Sequence, residues 1–102
     1  MGGSFVDEPG QRLHLSGRLD VHAAADVRLA LVRALEGGVG ELQVDCSGVE
    51  AMDATGLGVL VGMHRRADRA GRTLVLIDVS PAVRRVLTLT RLERVLHTSR
   101  VA

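Results

Sequence analysis

Aromatic side chains are almost absent from this chain of 102 residues, in which Phe5 is the only one. Leucine, valine and alanine must therefore form the core, and the hydrophobic content of 46% is sufficient for that. The chain also lacks tryptophan and tyrosine as large anchors for a flat interface. A chain of this length can bury one small core, so we expect residues 1–102 to form a single domain.

Cysteine is scarce and lysine is absent. Cys46 is the one cysteine, which excludes an internal disulfide framework and a cysteine-based zinc cluster. The four histidines have no metal-ligand spacing, so we expect no metal and no cofactor. Lysine is missing altogether, and a net charge of +1 does not favour a nucleic-acid partner.

Long hydrophobic runs are also missing. No segment approaches the roughly 18 apolar residues of a membrane span, and no signal peptide is visible. We therefore expect a cytoplasmic protein that does not insert into a membrane.

Hydrophobic periodicity predicts alternating strands and helices along the chain. Strands are expected near 5–7, 12–20, 41–46 and 73–77, and helices over 21–36, over 55–70 and from Pro81 onward. Ser47-Gly48 is expected to turn the chain after the third strand. This order predicts an α/β fold with a small mixed sheet of four to five strands, covered by about three to four helices.

The segment Asp53-Ala54-Thr55-Gly56-Leu57-Gly58 is the most informative motif. It places one hydroxyl, that of Thr55, at the start of a helix. The first amides of a helix lack intrahelical acceptors and carry partial positive charge, which favours a phosphate attached there. Thr55 is therefore a candidate for phosphorylation, although from the residues alone a purely structural helix cap is the more common role.

Four ordered segments resemble the STAS domain family, specifically the single-domain anti-sigma factor antagonists of bacteria. They are the early strand at 15–20, the strand and turn at 44–49, the motif at 52–60 and the helix start at 79–87. The resemblance spans roughly residues 12–97.

This resemblance implies a regulatory switch and not an enzyme. Thr55 would be phosphorylated by a serine/threonine kinase that is also an anti-sigma factor, and a serine/threonine phosphatase would reset it. The unmodified protein would bind that kinase and so free a sigma factor. Carried over position by position, the partner-binding residues would be Asp20, Asp53, Gly56, Leu57 and Gly58, with no catalytic residue.

The chain departs from the family pattern at three places. Ala54 replaces a second serine that many members have, so Thr55 is the sole hydroxyl of the motif. Arg91 stands where a glycine often follows the third helix, which predicts a modified turn. The last helix of the family is short or absent, and the cluster Leu92, Val95 and Leu96 ends the pattern.

Two structural alternatives and one functional alternative stay open. The glycines at 56, 58 and 62 indicate either close packing of the helix on the sheet or a low surface for a partner. The basic cluster of His64, Arg65, Arg66, Arg69 and Arg72 is expected to be a solvated face, with contact to an acidic partner as the alternative. The chain could also be the STAS subunit of a transport complex, such as a lipid-transport ATPase, and dock its ATPase without phosphorylation.

Overall fold

The fold is a five-stranded mixed sheet with three α-helices. The computed structural model describes residues 3–8 and 10–99, with the backbone alone for 3–8. In chain order the elements are β1 (Gly3–Glu8), β2 (Arg12–Leu19), α1 (Ala24–Glu36), β3 (Glu41–Met52), α2 (Ala54–Arg69), β4 (Thr73–Ile77), α3 (Pro81–Thr90), a 3₁₀ turn (Leu92–Arg94) and β5 (His97–Ser99).

The strands lie in sequence order across the sheet. β1 pairs antiparallel with β2, whereas β2, β3, β4 and β5 are parallel. Each parallel pair is connected through a helix, as parallel strands require. The predicted fold class is therefore confirmed, and the strand expected at 5–7 lies within β1.

One apolar core joins the strands to all three helices. Its buried members are mostly leucine and valine, including Leu15 of β2, Leu31 of α1, Val44 of β3, Leu60 of α2 and Leu87 of α3. The apolar run of β4 is buried throughout, as expected for a strand with neighbours on both sides.

Cys46 is buried in this core. Burial, together with the negative charge of Asp45, raises the pKa of the Cys46 thiol to about 12. Its role is therefore packing.

The turn predicted at Ser47-Gly48 is wrong, because β3 continues through it to Met52. His14 pairs with Asp45 and Ser16 pairs with Gly48, so two steps along β2 match three along β3. A β-bulge absorbs the extra residue and the strand resumes.

The segment after α3 also differs from the prediction. Arg91 itself adopts the left-handed conformation, with φ of 60°, and its amide donates to the Leu87 and Thr88 carbonyls. The turn is therefore the ordinary glycine-type end of a helix, adopted here by an arginine. Beyond it, Leu96 is buried in the core and β5 pairs with β4.

The solvated face predicted for the basic cluster is confirmed for Arg65, Arg66 and Arg69 but wrong for His64 and Arg72, which are buried. Arg72 is 4% exposed. Its guanidinium donates to six backbone carbonyls at 2.6–3.4 Å, those of Gly10, Ala34, Leu35, Val39, Gly40 and Glu41. Carbonyl oxygens replace water around this charge, which is why an arginine can be buried without a carboxylate.

Candidate phosphorylation and docking site

Thr55 is exposed and is the second residue of α2, immediately beyond the carboxyl end of β3. The residue that caps α2 is Asp53, whose Oδ1 accepts a hydrogen bond of 2.9 Å from the Gly56 amide. Asp53 has the extended backbone of a cap, and its carbonyl accepts from the Leu57 amide. A capping role for Thr55 is therefore wrong, and its hydroxyl is not required to hold the helix end.

Asp53 also links α2 to the segment that enters α1. Its Oδ2 accepts from the Val21 amide at 3.3 Å. Asp20 accepts from the His22 and Ala23 amides at 3.0 and 3.1 Å, and this turn delays the start of α1 to Ala24 instead of Val21. The two aspartates thus fix the loop beside Thr55.

Val21 is a feature that sequence reasoning missed. It is 61% exposed in the turn between β2 and α1. With Asp20 and Asp53 it lines a surface depression of about 270 Å³. The sequence pattern predicts that Val21 belongs to the first helix. The turn that Asp20 stabilises has no periodic hydrophobic pattern by which it could be predicted.

Gly56 and Leu57 lie in the interior. Leu57 is 7% exposed, and a Cβ added at Gly56 would clash with the carbonyl of Leu19 on β2. The close-packing interpretation therefore holds for Gly56. These two residues support the helix under the site, and they present no side chain to a partner.

Gly58 and Gly62 differ from Gly56, because a Cβ added at either has nothing within 4 Å. They line a groove of about 210 Å³ that begins at Thr55. The other lining residues are Arg28, Val59 and Met63. These two glycines leave open space beside the exposed Thr55, and a partner bound there stays a prediction.

The described residues offer little for other kinds of site. Among them, no group of three or more His, Cys, Asp or Glu side chains is placed to hold a metal. No helix in the described part of the chain has both the length and the apolar character needed to cross a bilayer.

Comparisons with known proteins bear out the fold. The family model described as "Mlab, STAS domain" matches residues 4–98. The anti-sigma-B factor antagonist of Bacillus subtilis (strain 168) is 32% identical over 88 residues, which are 86% of this chain and 80% of that protein.

Solved structures have the same fold. An anti-sigma factor antagonist from Mycobacterium paratuberculosis matches with a TM-score of 0.79 at 24% identity, covering 96% of this chain and 85% of that one. SpoIIAA, an anti-sigma factor antagonist, matches in its unphosphorylated form with a TM-score of 0.75 at 21% identity (100% and 89% covered). The phosphorylated form, from Bacillus, matches with 0.70 at 24% identity (100% and 92% covered).

The chain belongs to the STAS domain family. Within that family it groups with the anti-sigma factor antagonists, which are regulatory binding proteins.

Proposed function

We propose that this chain, as one STAS domain spanning 1–102, is a phosphorylatable switch that acts in the cytoplasm. Unmodified, it binds an anti-sigma factor that is also a serine/threonine kinase, and so frees a sigma factor. Phosphorylation of Thr55 ends that binding, and a serine/threonine phosphatase restores it.

The observation that carries this proposal is the exposed hydroxyl of Thr55 in the first turn of α2, where Asp53 has taken over the capping role. A kinase can reach this hydroxyl without unfolding the helix. The related protein SpoIIAA has been solved both with and without a phosphate.

In the proposed phosphorylation, this domain supplies only the acceptor hydroxyl. The Thr55 oxygen forms a bond to the γ-phosphorus of ATP, the bond to the β-phosphate oxygen breaks, and ADP leaves while the hydroxyl proton goes to a base of the kinase. The product adds about −1.5 to −2 charges beside Asp53. We propose that Asp20, Val21, Asp53 and Gly58 form the docking surface, on which this charge and bulk weaken partner binding.

The direct test is phosphorylation by a candidate anti-sigma factor kinase with ATP, with the modified residue located by mass spectrometry. We expect a single phosphate on Thr55 and none on the variant Thr55→Ala. Thr88→Ala is the matched control, since Thr88 is an exposed threonine on α3 away from the site. Label at another residue, or none while a known substrate is modified, would refute the switch.

Binding measurements test the second half of the proposal. Thr55→Ala should bind the kinase constitutively, and Thr55→Glu should bind more weakly than the wild type. Equal affinity of Thr55→Glu and wild type would contradict the charge-based release.

The curated relatives favour the antagonist over the transport-subunit alternative, which would use the same exposed Thr55 and require no phosphate. Affinity capture separates the two functions. Recovery of a sigma-regulating kinase supports the switch, whereas recovery of a transporter ATPase supports the alternative.

A further inference from the structure

The groove beside Thr55 contains one cationic side chain, Arg28, which belongs to α1 and not to the motif. α1 packs against α2, and their contact brings residue 28 and residue 55 to the walls of the same depression of about 210 Å³. Gly58 and Gly62 line the same depression, and neither has a side chain that would fill it.

Arg28 is also uncommitted in the unmodified protein. It is exposed, and within the described residues it makes neither an ion pair nor a side-chain hydrogen bond. Asp53, the acidic residue of the motif, is already engaged, since its two oxygens accept from the Gly56 and Val21 amides. The guanidinium is therefore available for another anion in this groove.

We propose that Arg28 is the phosphate-binding residue of the modified protein: its guanidinium pairs with the phosphoryl group on Thr55 across the groove. A guanidinium matches the oxygens of a phosphate in a bidentate arrangement that a lysine does not reproduce. The phosphate and the guanidinium together cover Gly58 and Gly62, so the groove is filled and its charge is changed. This inference rests on the proposed modification of Thr55.

The test uses the full chain with phosphothreonine incorporated at position 55 during synthesis, so that it depends on no kinase. A ³¹P NMR titration measures the second ionisation of the phosphate, whose pKa is about 6 in an ordinary setting. Arg28 favours the dianion, so Arg28→Gln should raise this pKa by about 0.2 to 0.7 pH unit. Arg28→Lys should give a smaller rise.

Arg33→Gln is the matched control, because Arg33 is also an exposed arginine of α1 but does not line the groove. It should move the phosphate pKa by less than about 0.1 pH unit, since a distant exposed charge is screened. Equal titration curves for Arg28→Gln and Arg33→Gln would overturn the pairing.

The same sample gives a second readout from the groove wall. Phosphorylation should shift the NMR signal of the Met63 methyl group in the wild type, and Arg28→Gln should remove most of that shift. Failure of a kinase to modify Thr55 would refute the proposed function while leaving this pairing measurable. Failure of the pairing would leave the kinase assay unaffected.

Discussion

The two ends of the parallel strands differ in how they use charged side chains. At the amino ends, Arg72 is buried and donates to six carbonyls, which belong to the β1–β2 turn, the end of α1, the connection from α1 to β3 and the first residue of β3. At the carboxyl ends, Asp20 and Asp53 accept from amides of the turn before α1 and of the first turn of α2, and Thr55 in that first turn is exposed. Arg72 thus stabilises the amino ends, whereas the carboxyl ends expose Thr55 to the proposed partner.

This difference separates stability from function along one sheet. Ligands of open α/β sheets bind at the carboxyl ends of the strands, where the loops can vary. The proposed switch occupies that end, so a phosphate can be added there without disturbing Arg72. Substitution of the buried Arg72 at the amino ends should therefore cost the most stability, whereas substitution of the exposed Thr55 at the carboxyl ends should mainly alter binding.

The largest effect is expected from Arg72→Met. The variant leaves six carbonyls without their donor, several of them out of reach of water, so the free energy of unfolding should fall by about 3–5 kcal/mol. Urea denaturation followed by circular dichroism measures this. Arg69→Met, three residues earlier and exposed, should change it by less than about 0.5 kcal/mol. Equal losses would show that burial of Arg72 does not matter.

A smaller effect separates two glycines of the carboxyl end. Gly56→Ala should lower the free energy of unfolding by about 1–3 kcal/mol, because the new Cβ meets the Leu19 carbonyl. Gly58→Ala, with open space around it, should raise that free energy by about 0.5–1 kcal/mol through helix propensity. The same urea experiment decides, and destabilisation of similar size by both would refute the assignment of separate roles.

The cap of α2 supplies the third comparison. Asp53→Ala removes the acceptor of the Gly56 amide and should cost about 1 kcal/mol of stability. Thr55→Ala should change stability by less than about 0.5 kcal/mol, because its hydroxyl caps nothing. The midpoint temperatures of thermal unfolding of the two variants measure this difference. A lower midpoint for Thr55→Ala than for Asp53→Ala would contradict the assignment of the cap.

Sequence patterns predicted the order of the elements because each carries its own signal. The run Thr73-Leu74-Val75-Leu76-Ile77 indicates a covered strand, and Ser80-Pro81 indicates a helix start, which the bond from the Val83 amide to Ser80 Oγ confirms. Such signals are local, so each element can be predicted from its own segment of the chain.

Two of the residues that sequence patterns did not place correctly, Arg72 and Arg28, have roles decided by distant parts of the chain, and a third error is local. The partners of Arg72 lie 31 to 62 residues away in sequence, so its place in a basic cluster indicated only solvent. Arg28 belongs to the groove solely because α1 packs on α2. The exchange of capping roles between Thr55 and Asp53 is a shift of two residues, within the ordinary uncertainty of helix ends.

Asp45 lies between the two ends of β3 and gives the smallest expected effect, on the pH dependence of stability. Burial alone would raise its pKa, but the Ser47 amide at 2.8 Å and His14 Nδ1 at 3.1 Å outweigh it, so the pKa is lowered from 3.8. A carboxylate with a lowered folded-state pKa stabilises the fold above its unfolded pKa. That contribution is lost as the pH falls through the folded value.

We therefore expect part of the wild-type acid destabilisation below about pH 4 to come from Asp45. Asp45→Asn should be less stable than the wild type at pH 7, and the difference should narrow as the pH is lowered toward 2.5. Glu36→Gln, which removes an equal charge from the exposed end of α1, is the matched control. Urea unfolding at a series of pH values measures the free energy of unfolding of both variants. If the difference between Asp45→Asn and the wild type stays constant down to pH 2.5, the carboxylate charge contributes nothing to stability. Stability at the middle of the sheet would then depend on packing and not on the charge of Asp45.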